Sequence, residues 1–177
     1  MGIKIESVNT DKFEMEYFRF GSGEKIFVIL PGLSIKSVMD AAEDVTKAYE
    51  VIAKDYTAYL FDRRRNVPDI YTIEDMANDT AEAMKTLGLK DVYLFGASQG
   101  GMIALSMAIE YPELVKKMVL GSTSAHVPEG RYEVVEKWIE LAEAKDRVGL
   151  YIQFGKEIYP PEVFEQYRDA LYLSERA

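Results

Sequence analysis

Gly96-Ala97-Ser98-Gln99-Gly100 sets a serine between two glycines at the spacing Gly-x-Ser-x-Gly. A serine hydroxyl attacks an acyl carbon usefully only where it is exposed, where a base can take its proton and where the oxyanion is stabilised. The five-residue pattern alone is weak, since chance supplies it in roughly 5% of chains this long. Its setting is more specific. The apolar run Val92–Phe95 precedes it and the apolar segment Met102–Ile109 follows the glycine-rich stretch 96–101. This is the strand-turn-helix context that the pattern's mechanics require. Gly96 and Gly100 would let the turn hold Ser98 in a strained conformation and let two backbones approach closely. Ser98 would then stand at a helix N-terminus, where the dipole favours negative charge. The competing reading is an ordinary glycine-rich turn.

A second segment bears on the same chemistry. Leu30-Pro31-Gly32-Leu33 closes another apolar strand. Acyl transfer needs two N–H donors aimed at the developing oxyanion; the expected pair is the backbone of Gln99, after the serine, and of Leu33. Taken alone, Pro31-Gly32 would be a plain strand-ending turn. A base is harder to find. The chain has a single histidine, His126. An imidazole with its ordinary pKa of about 6.5 suits general-base work, and His126 follows a strand at the same sheet edge as Ser98. A solvent-facing loop histidine is the favoured reading, with His126 kept as the one candidate base. Gly121-Ser122-Thr123-Ser124-Ala125 offers no acid. Arg63-Arg64-Arg65 could bind an anion, but a charge run in a loop is more often simply solvated. With no cysteine and no clustered ligands, neither a metal nor a cofactor is expected.

The elements that must position these residues alternate. Ile3–Val8, Phe13–Phe20 and Ile26–Leu30 read as strands, the last with no polar face, as a strand buried on both sides requires. Helical periodicity covers roughly 37–54, and Tyr56–Phe61 is a further buried strand before a loop at Asp62–Pro68. Thr72 and Asp75 form a capping box for a helix that Gly88 ends. Met118-Val119-Leu120 makes a last, short buried strand. Beyond it two helical faces appear, Val134, Val135, Trp138, Leu141 and Ala142, then Val163, Phe164, Tyr167, Ala170 and Leu171, separated by Pro160-Pro161. Strand-helix alternation implies a parallel α/β sheet with helices on both faces.

Over about residues 1–125 the chain resembles an α/β-hydrolase of the small esterase/lipase-like group. The resemblance rests on Pro31-Gly32-Leu33, Asp62-Arg63-Arg64, Thr72-Ile73-Glu74-Asp75 and the Ser98 elbow. Arg65 stands where that family usually has glycine, and Ala97 where histidine is common. The resemblance implies a hydrolase core over 1–125, with a mostly parallel sheet whose N-terminal strands are antiparallel, and the start of a helical cap over 126–177. It also implies a triad in the order Ser, acid, His, of which only Ser98 is evident.

Composition sets the outer bounds. The 177 residues are 48% hydrophobic, enough for a real core. A net charge of −9 argues against nucleic acid and anionic membrane as partners. Neither a membrane-spanning run nor a signal-peptide h-region is evident, so a soluble, cytoplasmic protein is expected. The expected function is hydrolysis of a small-molecule acyl substrate by a truncated form with an incomplete triad. The alternative is a non-catalytic binding module, a homodimer or a partner pairing at the sheet edge near Met118–Leu120.

Overall fold

The computed structural model describes residues 2–34 and 36–174. Two compact units divide at residue 125, one covering 1–125 and the other 126–177.

Among the described residues the first unit is built on six strands: β1 (Ile5–Asn9), β2 (Glu14–Gly21), β3 (Lys25–Leu30), β4 (Tyr56–Arg64), β5 (Val92–Ala97) and β6 (Val115–Gly121). They lie in the order β1-β2-β4-β3-β5-β6. β1 pairs antiparallel with β2, and β2 with β4. From β4 through β3 and β5 to β6 the pairing is parallel. β3 is therefore central, which explains its unbroken apolar sequence. Val28 and Leu30 enter one core with Met15, Tyr17, Phe61, Met84, Leu94 and Met107. Ile29 enters the opposite core with Phe18, Phe20, Met39, Ala58 and Leu60. Burying both faces in this way is what the α/β layer arrangement demands.

Three helices cover these faces: α1 (Ala42–Ala48), α2 (Ile73–Thr86) and α3 (Gln99–Glu110). The Thr72 hydroxyl accepts from the Asp75 N–H while the Asp75 carboxylate accepts from the Thr72 N–H, the capping box expected from the sequence. Gly88 stops α2 with φ of 70°.

Several boundaries differ from the sequence expectations. The segment 37–54 is one short α-helix between two 3-10 turns, Val38–Ala41 and Glu50–Ile52. Ala41 and Tyr49 break it at ψ of 13°, so helical spacing of apolar residues continues without a continuous helix. β4 runs on through Asp62, Arg63 and Arg64 because β2 supplies a partner, with Arg64 opposite Met15. α3 begins at Gln99, so Gly100 and Gly101 are helical residues. Although its sequence is apolar almost all round, α3 is buried on one side: Ile103, Ala104 and Met107 face the core, while Ile109 is 74% exposed. β6 is likewise no buried strand. It is the edge of the described sheet, and Val119 is 59% exposed.

The second unit holds α4 (Tyr132–Glu143), α5 (Arg147–Ile158) and α6 (Pro161–Ser174). Trp138 of α4 meets Phe154 of α5 edge-on, ring centroids 4.4 Å apart. Arg131 and Glu157 pair at 2.8 Å. α5 has no clear sequence signature, since Gly149 and Gly155 interrupt its apolar pattern. Asp146 starts it by accepting the Gly149 N–H. Phe164 is buried, while the expected packing of Tyr167, Ala170 and Leu171 lies outside the described residues.

Candidate active site

Ser98 sits between the end of β5 and the first residue of α3 with φ of 51° and ψ of −119°. A non-glycine residue rarely adopts such a backbone, and an outlier of this kind stores local strain. The surroundings hold it there. The Ser98 N–H donates to the Gly121 carbonyl at 2.9 Å. Its own carbonyl accepts from the Gly101 N–H at 2.9 Å and from the Thr123 hydroxyl at 2.7 Å. The Ser98 side chain makes no capping bond, and the residue is exposed.

The two elbow glycines are required by close backbone approach. A Cβ on Gly96 would lie 2.4 Å from the Gly100 carbonyl oxygen. One on Gly100 would lie 2.0 Å from the Leu30 carbonyl oxygen and 2.6 Å from that of Pro31. Gly100 thus lets the first turn of α3 press against the end of β3 and the loop leaving it. That contact brings the Pro31-Gly32-Leu33 segment alongside the serine. A Cβ built on Gly32 would stand 3.3 Å from Ser98 Cβ and 3.9 Å from its Oγ.

Leu33 and Gln99 flank this place. Neither backbone N–H has a hydrogen-bond acceptor among the described residues. Leu33 is 51% exposed, Gln99 half-buried. An N–H without a protein partner near a strained serine is free to serve a ligand oxygen. Beside them a pocket opens between β4, the β3 loop, α2 and α3, lined by apolar Met15, Phe61, Met76 and Ile103 and by polar Arg63 and Tyr71.

The arginine run is solvated only at Arg65; Arg63 and Arg64 are half-buried. Arg65 pairs with Glu16 at 2.7 Å and Glu14 at 3.4 Å. Arg64 lies 3.6 Å from the buried Asp79, which also accepts the Tyr71 hydroxyl at 2.8 Å. Burial, and then that bond to Asp79, push the Tyr71 phenol well above its usual range. Arg63 donates to the Ser34 carbonyl at 2.6 Å. A single sequence cannot reveal these partners, because Asp79 and Ser34 are remote from the run in the chain.

The described residues bring Ser98, Gln99, Leu33, Gly96 and Gly100 together. His126 opens the second unit, exposed, in the loop between β6 and α4. Among the described residues no group of three or more His, Cys, Asp and Glu side chains could hold a metal ion, and no helix is long and apolar enough to cross a membrane.

The family model for the alpha/beta hydrolase fold matches residues 25–167. The chain belongs to the α/β-hydrolase family. It is 33% identical over 140 residues to the mouse (Mus musculus) protein "Serine hydrolase BPHL", covering 72% of this chain and 48% of that one. Over 68 residues it is 41% identical to homoserine O-acetyltransferase of Thermus thermophilus, covering 38% of this chain and 18% of that protein. Among solved structures, MGS-M2, an α/β-hydrolase enzyme from a Medee basin deep-sea metagenome library, superposes with a TM-score of 0.80 at 19% identity. That match covers 97% of this chain and 63% of the other. The chain spans about half the length of the BPHL relatives.

Proposed function

We propose that this α/β-hydrolase chain carries the nucleophile and oxyanion donors of a serine hydrolase acting on a small ester or related acyl compound. Ser98 attacks the acyl carbon, and the N–H groups of Leu33 and Gln99 receive the oxyanion. Support comes chiefly from one observation: a serine held at φ of 51° beside two backbone N–H groups that have no acceptor among the described residues. Such preorganised donors cost no reorganisation when charge develops, which is why they carry much of acyl-transfer catalysis. The 126–177 unit is read as the start of a helical cap.

Among the described residues we assign no general base or acid. The Ser98 hydroxyl has no hydrogen-bond partner among the described residues of its own unit, and His126 is assigned no catalytic role. A serine without a base is a weak nucleophile, but an oxyanion hole and binding alone can retain ~10³–10⁴-fold catalysis over water. Slow turnover of p-nitrophenyl acetate that disappears in Ser98→Ala supports the reading. Equal turnover in Ser98→Ala would sink it.

A second reading rests on the edge strand β6 with its exposed Val119 and Leu120. Such an edge invites a partner strand or a second copy of the chain. In that reading the chain is a binding or interaction module, and a dilute monomer by sedimentation would contradict it.

A further inference from the structure

Arg63 and Arg64 end β4 and Arg65 follows it. Two of the three pair with carboxylates: Arg64 with Asp79 at 3.6 Å, besides donating to the Lys12 carbonyl, and Arg65 with Glu14 and Glu16. Arg63 is different. Among the described residues its guanidinium has no carboxylate within ion-pair distance, yet it is half-buried at the pocket beside Gly32 and Gln99. Its hydrogen-bond partner is a main-chain oxygen: Nη2 donates to the Ser34 carbonyl at 2.6 Å. A charged donor on a carbonyl forms a hydrogen bond roughly twice as strong as a neutral pair.

The neighbouring residue grips the same loop further on. The Asp62 carboxylate accepts the Ser37 hydroxyl and is itself held by the Arg63 N–H at 2.8 Å. Ser37 in turn accepts the Met39 N–H and so starts the 3-10 turn. The loop leaving β3 is thus fastened at Ser34 and Ser37 by two consecutive residues of β4. At its other end Leu30 and Pro31 are pressed against Gly100. The Gly32–Leu33 peptide lies between these fixed points, with few dihedrals free to turn the Leu33 N–H away. Neither Arg63 nor Asp62 needs to touch the substrate for this effect.

We propose that Arg63, with Asp62 behind it, is a positioning residue that holds the Leu33 N–H in the geometry that receives an oxyanion. The proposal rests on the reading of Ser98 as nucleophile. It also accounts for an arginine spent on a loop carbonyl when the protein is otherwise rich in carboxylates. Arg63→Ala removes the clamp without substituting Ser98, Leu33 or Gln99. Arg63→Lys keeps one charged donor and should recover part of it.

The test uses two measurements on the whole chain, in the wild type, Arg63→Ala and Arg63→Lys. The first is the ¹⁵N order parameter of the Leu33 and Ser34 amides. It should fall from the rigid level of ~0.85 toward ~0.6 in Arg63→Ala, with recovery in Arg63→Lys and no change in β3 or α3. The second is covalent labelling of Ser98 by a fluorophosphonate probe. The maximal labelling rate should drop about tenfold or more in Arg63→Ala, as loss of a charged hydrogen bond implies, at an unchanged half-saturating probe concentration. Unchanged order parameters would overturn the proposal. So would mobile amides with an undiminished labelling rate, or a shift confined to the half-saturating concentration, which would make Arg63 a binding residue. If the wild type fails to label at Ser98, the nucleophile reading fails, and the order parameters still decide whether Arg63 fixes the loop.

Discussion

Replacing Gly100 by alanine separates the packing account from a merely permissive one. The added Cβ would meet three backbone atoms: the Leu30 carbonyl oxygen at 2.0 Å, its carbon at 2.5 Å and the Pro31 oxygen at 2.6 Å. Ordinary carbon contacts lie at about 3.5–4.0 Å, so α3 and the end of β3 would have to part by more than ~1 Å. Neither side yields easily. Leu30 is 3% exposed and pairs in register with Gly96, and Gly100 lies in the first turn of a helix packed on the sheet. Overpacking against backbone then costs at least the top of the usual range, about 3 kcal/mol. Gly101 provides the control. Its added Cβ would come within 2.5 Å of the Thr123 side chain, which lies in a loop and can swing aside. Gly101→Ala therefore loses about 1 kcal/mol, chiefly through the bond from Thr123 to the Ser98 carbonyl. Urea denaturation followed by far-ultraviolet circular dichroism reads both differences. A Gly100→Ala midpoint equal to wild type, or one higher than that of Gly101→Ala, would refute the reasoning.

Thr72→Ala breaks the capping box of α2 and should cost about 1 kcal/mol in the same denaturation assay. Tyr71→Phe removes a donor from the buried Asp79 and should cost about 1–3 kcal/mol. The Tyr71 phenol is raised in the folded state, so its contribution is complete below the unfolded value of about 10 and is lost as pH rises beyond it. Alkaline destabilisation, measured by urea midpoints across that range, should be shallower in Tyr71→Phe. Val119→Glu lies on the exposed edge strand and should change stability by less than about 0.5 kcal/mol, while abolishing any self-association seen by sedimentation. His126→Ala should leave the slow p-nitrophenyl acetate turnover unchanged; its loss without unfolding would make His126 the base.

Local rules made much of this molecule legible in its sequence. The unbroken run Ile26–Leu30 placed β3 at the centre of the sheet, because only a strand covered on both faces can be apolar throughout. Thr72, Asp75 and Gly88 set the ends of α2 through chemistry confined to a few neighbouring residues. The glycines around Ser98 pointed to a close approach, and their partners proved to be Leu30, Pro31 and each other. What remained hidden was non-local. The extension of β4 depended on β2, and the engagement of Arg63 and Arg64 on Ser34 and Asp79. For β6 the sequence placed the sheet edge near Met118–Leu120, yet its apolar residues read as buried, because exposure depends on the missing neighbour and not on local pattern.

Ser98 is proposed as the nucleophile, positioned but poorly activated. The most direct test is long incubation of the chain with a fluorophosphonate, followed by intact-mass and peptide mapping. The expected result is slow addition of a single phosphonyl group, on the peptide that contains Ser98, and none in Ser98→Ala. Labelling that persists in Ser98→Ala, or that falls on another residue of the wild type, would contradict it.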